Sequence, residues 1–304
     1  MRKILLYILL LSFGNSMFSQ QIALYSQYFQ NNYIINPAVA GSIYDYTPFR
    51  LAVRKQWIGI SESPSSQVVS LHHQLDKRTM GIGGMLFHDT FGPIRTIGIQ
   101  TTYAYHLQVK KDLRVSLGFS PVFMQYIINL NQEDFYSYEP ILTSDKASVT
   151  LPDANVGIYT YSSNYWLGIS VAHILQSKIN IMGTWIDDTN RMVRHYFVMG
   201  GYRVGFPGSH IEIEPSSLIK FTDITPIQVD INFKLYWHQQ TWLGISVRAD
   251  DSFVVMFGFT FDDYFFGFSH DVTFSDLTNH TTGSQELIFG WNFGIERKYG
   301  KGFY

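Results

Sequence analysis

From residue 49 onward the chain alternates apolar and polar residues with a period of two, in segments longer than most strands. In 227–237, Ile227, Val229, Ile231, Phe233, Leu235 and Trp237 share one face, and Gln228, Asp230, Asn232 and Lys234 share the other. In 96–107, Ile97, Ile99, Tyr103, Tyr105 and Leu107 oppose Gly98, Gln100, Thr102, Ala104 and His106. In the C-terminal segment, Leu287, Phe289, Trp291, Phe293 and Ile295 oppose Glu286, Gly290, Asn292 and Gly294. Successive side chains of a strand point to opposite faces, so each segment has one apolar side and one side of small or polar groups.

A soluble sandwich alternates too, but its outer face carries dense charge. Only 15% of these 304 residues are charged, while 16% are aromatic; an ordinary soluble domain has about 25% charged residues. Several segments reach about ten residues, the length that crosses a membrane at a barrel's tilt, where the usual strand has about 5–6. Tyr103, Tyr105, Trp237 and Trp291 lie towards segment ends, where aromatic girdles meet lipid headgroups. The expected fold is all-β: a transmembrane antiparallel β-barrel.

The N-terminus gives the address. Arg2 and Lys3 precede an apolar run over 4–11 and a small, polar run over 12–20. That is a secretory signal peptide, 1–19, with cleavage expected after Ser19. No later stretch offers the roughly 20 apolar residues of a membrane helix. Export plus a lipid-facing barrel places the chain in the bacterial outer membrane, with outer-membrane lipid as its first partner. The chain has no cysteine, so disulfides, thiolate zinc sites and a lipidated N-terminal cysteine are excluded. A pI near 6.5 leaves no basic surplus for nucleic acid.

Strands are expected near 49–57, 65–75, 80–88, 94–107, 113–127, 153–161, 165–173, 192–204, 211–221, 227–237, 241–248, 252–261, 264–272 and 284–295. About fourteen strands is an even number, as single-chain bacterial barrels show, and places both termini at the periplasmic end. The long connections 128–152, 174–191 and 273–283 then all fall at the outer end, and short ones such as 162–164 and 262–263 at the inner end. The barrel domain is 49–304. Its inward face would carry Arg50, Arg54, His72, Glu212, Glu214, Lys220, Asp230, Lys234, Arg248 and Asp271, whose mixed signs suit a salt-bridged wall better than a selectivity ring.

The segment before the barrel, 20–48, stands apart. Residues 20–44 include no charge, yet they hold Tyr25, Tyr28, Phe29, Tyr33 and Tyr44 with Gln27, Gln30, Asn31, Asn32 and Asn36. Amides and hydroxyls can be buried when bonded, at less cost than a charge. Asn36-Pro37 favours a bend. The composition suits a lumen plug or a periplasmic docking arm better than disorder, and the plug, or a lid packed in the barrel mouth, is favoured. Candidate plug or partner residues are Tyr33, Asn36, Pro37, Gly41, Arg54, Gln56, Trp57 and Pro64. Position alone makes Trp57 a girdle residue at the barrel rim, with a partner anchor as the other reading.

Tyr25-Ser-Gln-Tyr-Phe, Ile35-Asn-Pro-Ala-Val-Ala-Gly41 and Arg54-Lys-Gln-Trp57-Ile-Gly with Ser63-Pro64 resemble the opening of the PorP/SprF family of the type IX secretion and gliding system. Met80-Gly-Ile-Gly-Gly, His88-Asp89 with Gly92-Pro93, Tyr103-Ala-Tyr105 and Pro215-Ser-Ser-Leu-Ile-Lys220 are similar to its later pattern. Where that family usually has a small residue and Pro after the Gln-Trp, this chain has Ser61-Glu-Ser-Pro64. The resemblance implies a non-enzymatic outer-membrane component that helps export or attach a large secreted surface protein, an adhesin or other cargo. It also implies contact with other type IX secretion components. The alternative is a channel or carrier for small or hydrophobic solutes.

Catalytic motifs are absent from the sequence: no Gly-x-Ser-x-Gly, no His-Glu-x-x-His and no phosphate-cradling loop. His72 and His73 are adjacent on a strand and point opposite ways, so they cannot share a metal. His88-Asp89 reads as a turn, and Glu133, Asp134, Glu139 and Asp145 as a solvated loop. No catalytic residue, metal ligand or cofactor is expected.

Overall fold

The computed structural model describes residues 22–23, 25–75, 79–129, 146–180, 191–249, 251–274 and 276–294. The leader 1–19 and the acidic loop with Glu133, Asp134, Glu139 and Asp145 lie outside them. Fourteen strands form one sheet: β1 Thr47–Lys55, β2 Ser65–Gln74, β3 Met80–Phe91, β4 Ile94–Lys110, β5 Leu113–Asn129, β6 Lys146–Tyr161 and β7 Tyr165–Ala172. Then follow β8 His195–Tyr202, β9 Ile211–Thr222, β10 Gln228–Trp237, β11 Thr241–Arg248, β12 Ser252–Phe261, β13 Tyr264–Thr273 and β14 Ser284–Phe293. A two-residue piece, Val204–Gly205, continues β8 along Glu212 and Ile213 of β9.

Each strand pairs antiparallel with its sequence neighbour, and β1 pairs with β14 from Thr47↔Phe293 to Lys55↔Gln285. The sheet is therefore a closed barrel. Closure is a requirement in lipid, where each unpaired backbone amide or carbonyl costs several kcal/mol. Burial runs opposite to a soluble protein. In β10, Ile231, Phe233, Leu235 and Trp237 are exposed, whereas Asp230, Asn232, Lys234 and Tyr236 are buried. The apolar stripe faces lipid and the polar stripe encloses the lumen. The first strand begins and the last strand ends at the short-turn end with 111–112, 162–164, 238–240 and 262–263. The described N-terminal residues 22–26 lie towards the other end, with 173–180, 191–194 and 276–283.

Three details depart from the sequence reading. β6 begins at 146 rather than 153, because its pairing with β5 continues to Asn129↔Lys146. His88 and Asp89 are strand residues, not a turn, since β3 runs to Phe91 and pairs Asp89 with Ser66 and Thr96. The turn is Gly92-Pro93, with Gly92 at φ +54°. Trp57 is not a lipid-girdle residue. The chain leaves β1 at Lys55 and turns at Trp57, whose φ of +46° breaks the strand's alternation, and its side chain lines an interior chamber with Gln56 and Pro64.

Candidate functional site: a lumen filled by the N-terminal segment

Residues 25–41 run through the barrel as three short 3₁₀ turns, Tyr28–Gln30, Asn32–Ile34 and Pro37–Val39. Their side chains are largely buried; Tyr28, Tyr33, Asn36, Ala38 and Ala40 are almost fully so. The local chemistry is simple. Asn36 caps the third turn by accepting from the Ala38 amide at 2.9 Å, and Pro37 sits at the first turn position, where no amide is needed.

So short a segment leaves many backbone groups without internal partners, and the barrel wall supplies them. Ser116 Oγ donates to the Ala38 carbonyl at 2.6 Å and Ser170 Oγ to Ile35 at 2.8 Å. His106 Nε2 lies 2.8 Å from the Ala40 carbonyl, and the Gly41 amide donates to His72 Nδ1 at 3.2 Å. Asn36 Nδ2 reaches the Ile158 carbonyl at 2.9 Å, Asn31 reaches Ser70 Oγ at 2.7 Å, and the Tyr33 hydroxyl bonds Thr102 at 2.6 Å. The contacts come from β2, β4, β5, β6 and β7, so the segment is held from many sides.

Close approach needs wall positions without side chains. Gly118 and Gly157 are directly paired between β5 and β6. A Cβ on Gly118 would lie 2.2 Å from the Ala38 nitrogen, and one on Gly157 2.0 Å from Asn36 Oδ1. Gly41, at φ +76°, rests against Gly81, where a Cβ would meet the Ala40 carbonyl oxygen at 2.0 Å. Without these glycines the segment cannot seat.

Charges cluster at the segment's start. Arg54 pairs with Asp271 at 2.7 Å and Glu286 at 3.5 Å, and Arg248 with Asp230 at 3.3 Å and Asp271 at 3.4 Å. Glu286 also accepts from the amides of Ser26 and Gln27, at 2.7 and 3.0 Å, while the Ser26 hydroxyl donates to Asp271 at 2.8 Å. Arg54 and Glu286 face each other across the β1–β14 closure. One cluster thus joins the barrel seam and anchors the segment. Further round, Lys234 pairs with Glu214 and stands 3.9 Å above the Phe29 ring. Arg50 donates to Asn292 at 2.8 Å and to the Gln30 carbonyl at 3.4 Å. Glu212 sits at the short-turn rim, bonded by Arg203 and Gln239.

Towards the long-connection end lies a cavity of about 280 Å³. Inward-facing apolar side chains line it, among them Val68, Met85, Phe87, Val122, Met124 and Leu218. Neither this chamber nor the inward Trp242, whose ring meets Phe29 edge-on at 5.7 Å, was expected from the sequence. A large apolar residue in phase with Gly244, Ser246 and Arg248 is the signal that could have revealed Trp242. Among the described residues, no group of three His, Asp or Glu side chains is placed to hold a metal.

The family described as type IX secretion system membrane protein PorP/SprF matches residues 17–291, nearly the whole chain. The chain belongs to the PorP/SprF family. Its 25–41 turns, the Arg54 cluster and the chamber all fall inside the matched span. No curated protein matches the chain. Among solved structures it is similar to the toluene transporter TodX of Pseudomonas putida, at 11% identity and a TM-score of 0.49 over 87% of this chain and 93% of that one. It is also similar to the CymD monoaromatic hydrocarbon channel, at 10% identity and a TM-score of 0.48 over 89% and 92%. A third is Omp33 of Acinetobacter baumannii, at 6% and 0.45 over 82% and 97%.

Proposed function

We propose that this PorP/SprF protein is a non-enzymatic anchor in type IX secretion, fixed in the outer membrane by its barrel and helping to export or attach one partner, an adhesin or other secreted surface protein. The observation that carries this reading is the filled lumen. Residues 25–41 occupy the interior and bond to wall residues on β1, β2, β4–β7, β13 and β14, which leaves an anchor with a surface rather than an aqueous conduit. The partner surface is then formed by the long connections at the outer end, with Trp57 and Pro64 at the inner edge of one of them. The short-turn end, with the plug's exit at Tyr44, faces the periplasmic secretion components.

The reading is tested in cells and in liposomes. Deleting the protein should reduce one particular surface protein at least tenfold in the surface fraction, while bulk type IX secretion continues. The purified barrel in liposomes should pass sugars no faster than empty vesicles. Rapid sugar flux, with every surface protein unchanged in the deletion strain, would support the solute-channel alternative instead.

A further inference from the structure

The interior chamber contains a cation with no partner. Lys220 on β9 is 6% exposed, lines the cavity, and its Nζ makes no hydrogen bond. Among the described residues, the other buried lumen cations, Arg50, Arg54, Lys234 and Arg248, all contact protein oxygens. The carboxylate acting on Lys220 through space, Asp230, is bonded to Arg248. Beside Lys220 stands His195 of β8, 2% exposed, its Nε2 also without a partner and its Nδ1 2.9 Å from the Val193 carbonyl. Lys220 is paired in register with Phe197, and the His195 ring stacks on Phe197 at 6.3 Å, so both nitrogen groups and an aromatic face share one patch of wall.

Burying an ammonium among apolar side chains without a counter-charge is costly. The remaining titratable groups facing the chamber do not remove that cost: Tyr25 and Tyr28 are phenols and carry no counter-charge. His173 is bonded to Asp153 at 3.2 Å, and Asp89 lies on β3, well round the barrel from β9. The volume, about 280 Å³, falls just below the range for drug-sized ligand sites, about 300–1,000 Å³, and so suits a smaller molecule. Its lining combines Met, Phe, Val, Leu and Ile side chains with a few uncharged polar ones such as Gln100 and Asn155. We propose that the chamber is a binding site for a small apolar carboxylate, with the head group at Lys220 and His195 and the hydrocarbon body against Met85, Met124, Phe197 and Leu218. Asp89 repels an anion from the far wall and so fixes the orientation.

The test uses the folded full-length mature chain in nanodiscs, titrated calorimetrically with octanoate and with uncharged octan-1-ol, empty nanodiscs being subtracted. The expected result is one saturable octanoate site per barrel, about tenfold or more tighter than octan-1-ol, as a charge-assisted hydrogen bond predicts. Lys220→Met should bring octanoate down to the octan-1-ol level, and Lys220→Arg should keep the preference. Equal affinity of the two probes for the wild type, or no saturable octanoate signal, overturns the proposal. So does undiminished octanoate binding by Lys220→Met. Should Lys220→Met fail to fold, the wild-type comparison still decides.

Discussion

Gly118→Val should eject the N-terminal segment from an otherwise intact barrel. A Cβ there would lie 2.2 Å from the Ala38 nitrogen and 2.4 Å from the Pro37 carbonyl carbon, distances that backbone atoms cannot accept. The β4–β5–β6 ladder has no such conflict, since valine is a good strand former. The displaced turn would lose the bonds from Ser116 and the cap at Asn36, each carrying about 1 kcal/mol net, together with the burial of Tyr33, Ala38 and Val39. The expected outcome is a folded, heat-modifiable barrel whose residues 25–41 become protease-sensitive and whose conductance in planar bilayers rises at least tenfold. Gly157→Val, acting from the partner strand on Asn36, should reproduce it. A variant that stays closed and protease-resistant would show that the segment does not rest in this notch.

Replacing Arg54 should have the largest effect on stability. Its guanidinium is almost wholly buried and serves both Asp271 and Glu286. Removing one partner of a buried ion pair leaves uncompensated charge and costs about 3–5 kcal/mol. Here two carboxylates are left, and of these Arg248 reaches Asp271 but not Glu286. Because Arg54 and Glu286 face each other across the closing strand pair, the loss falls on the seam of the barrel. Arg54→Met is expected to lower the unfolding free energy in urea by about 3–5 kcal/mol and to loosen Ser26 and Gln27. Adding Asp271→Asn and Glu286→Gln should return much of it, since the stranded charges are then gone. A loss below about 1 kcal/mol would mean that water already screens the cluster.

The barrel was legible because lipid and lumen impose opposite demands on alternate residues, and 227–237 meets both almost perfectly. Loop parity added a second, independent reading. The N-terminal segment was legible in kind, being aromatic and free of charge, but its seat was not. Gly118 and Gly157 look in the sequence like any small residues on a polar face, and only the approaching backbone of Asn36–Ala38 gives them a purpose. The chamber was hidden for a related reason. In Val122-Phe123-Met124 both faces are apolar, so the period vanishes where one side meets lipid and the other an apolar stretch of the chamber wall. The role of Trp57 was not legible because it lies past the end of β1, in a turn where alternation has no meaning.

Adjacent residues of β3 and β5 give the most direct test. The chain has no cysteine, so single cysteines at Met85, Leu86, Val122 and Phe123 can carry nitroxide labels without further engineering. Leu86 and Phe123 are each 56% exposed, while Met85 and Val122 line the interior chamber. In lipid bilayers, labels at 86 and 123 should collide freely with oxygen dissolved in the acyl chains, and those at 85 and 122 should be sheltered. The reverse pattern, or equal shelter at all four as between two stacked sheets, would contradict the lipid-facing barrel on which every conclusion rests.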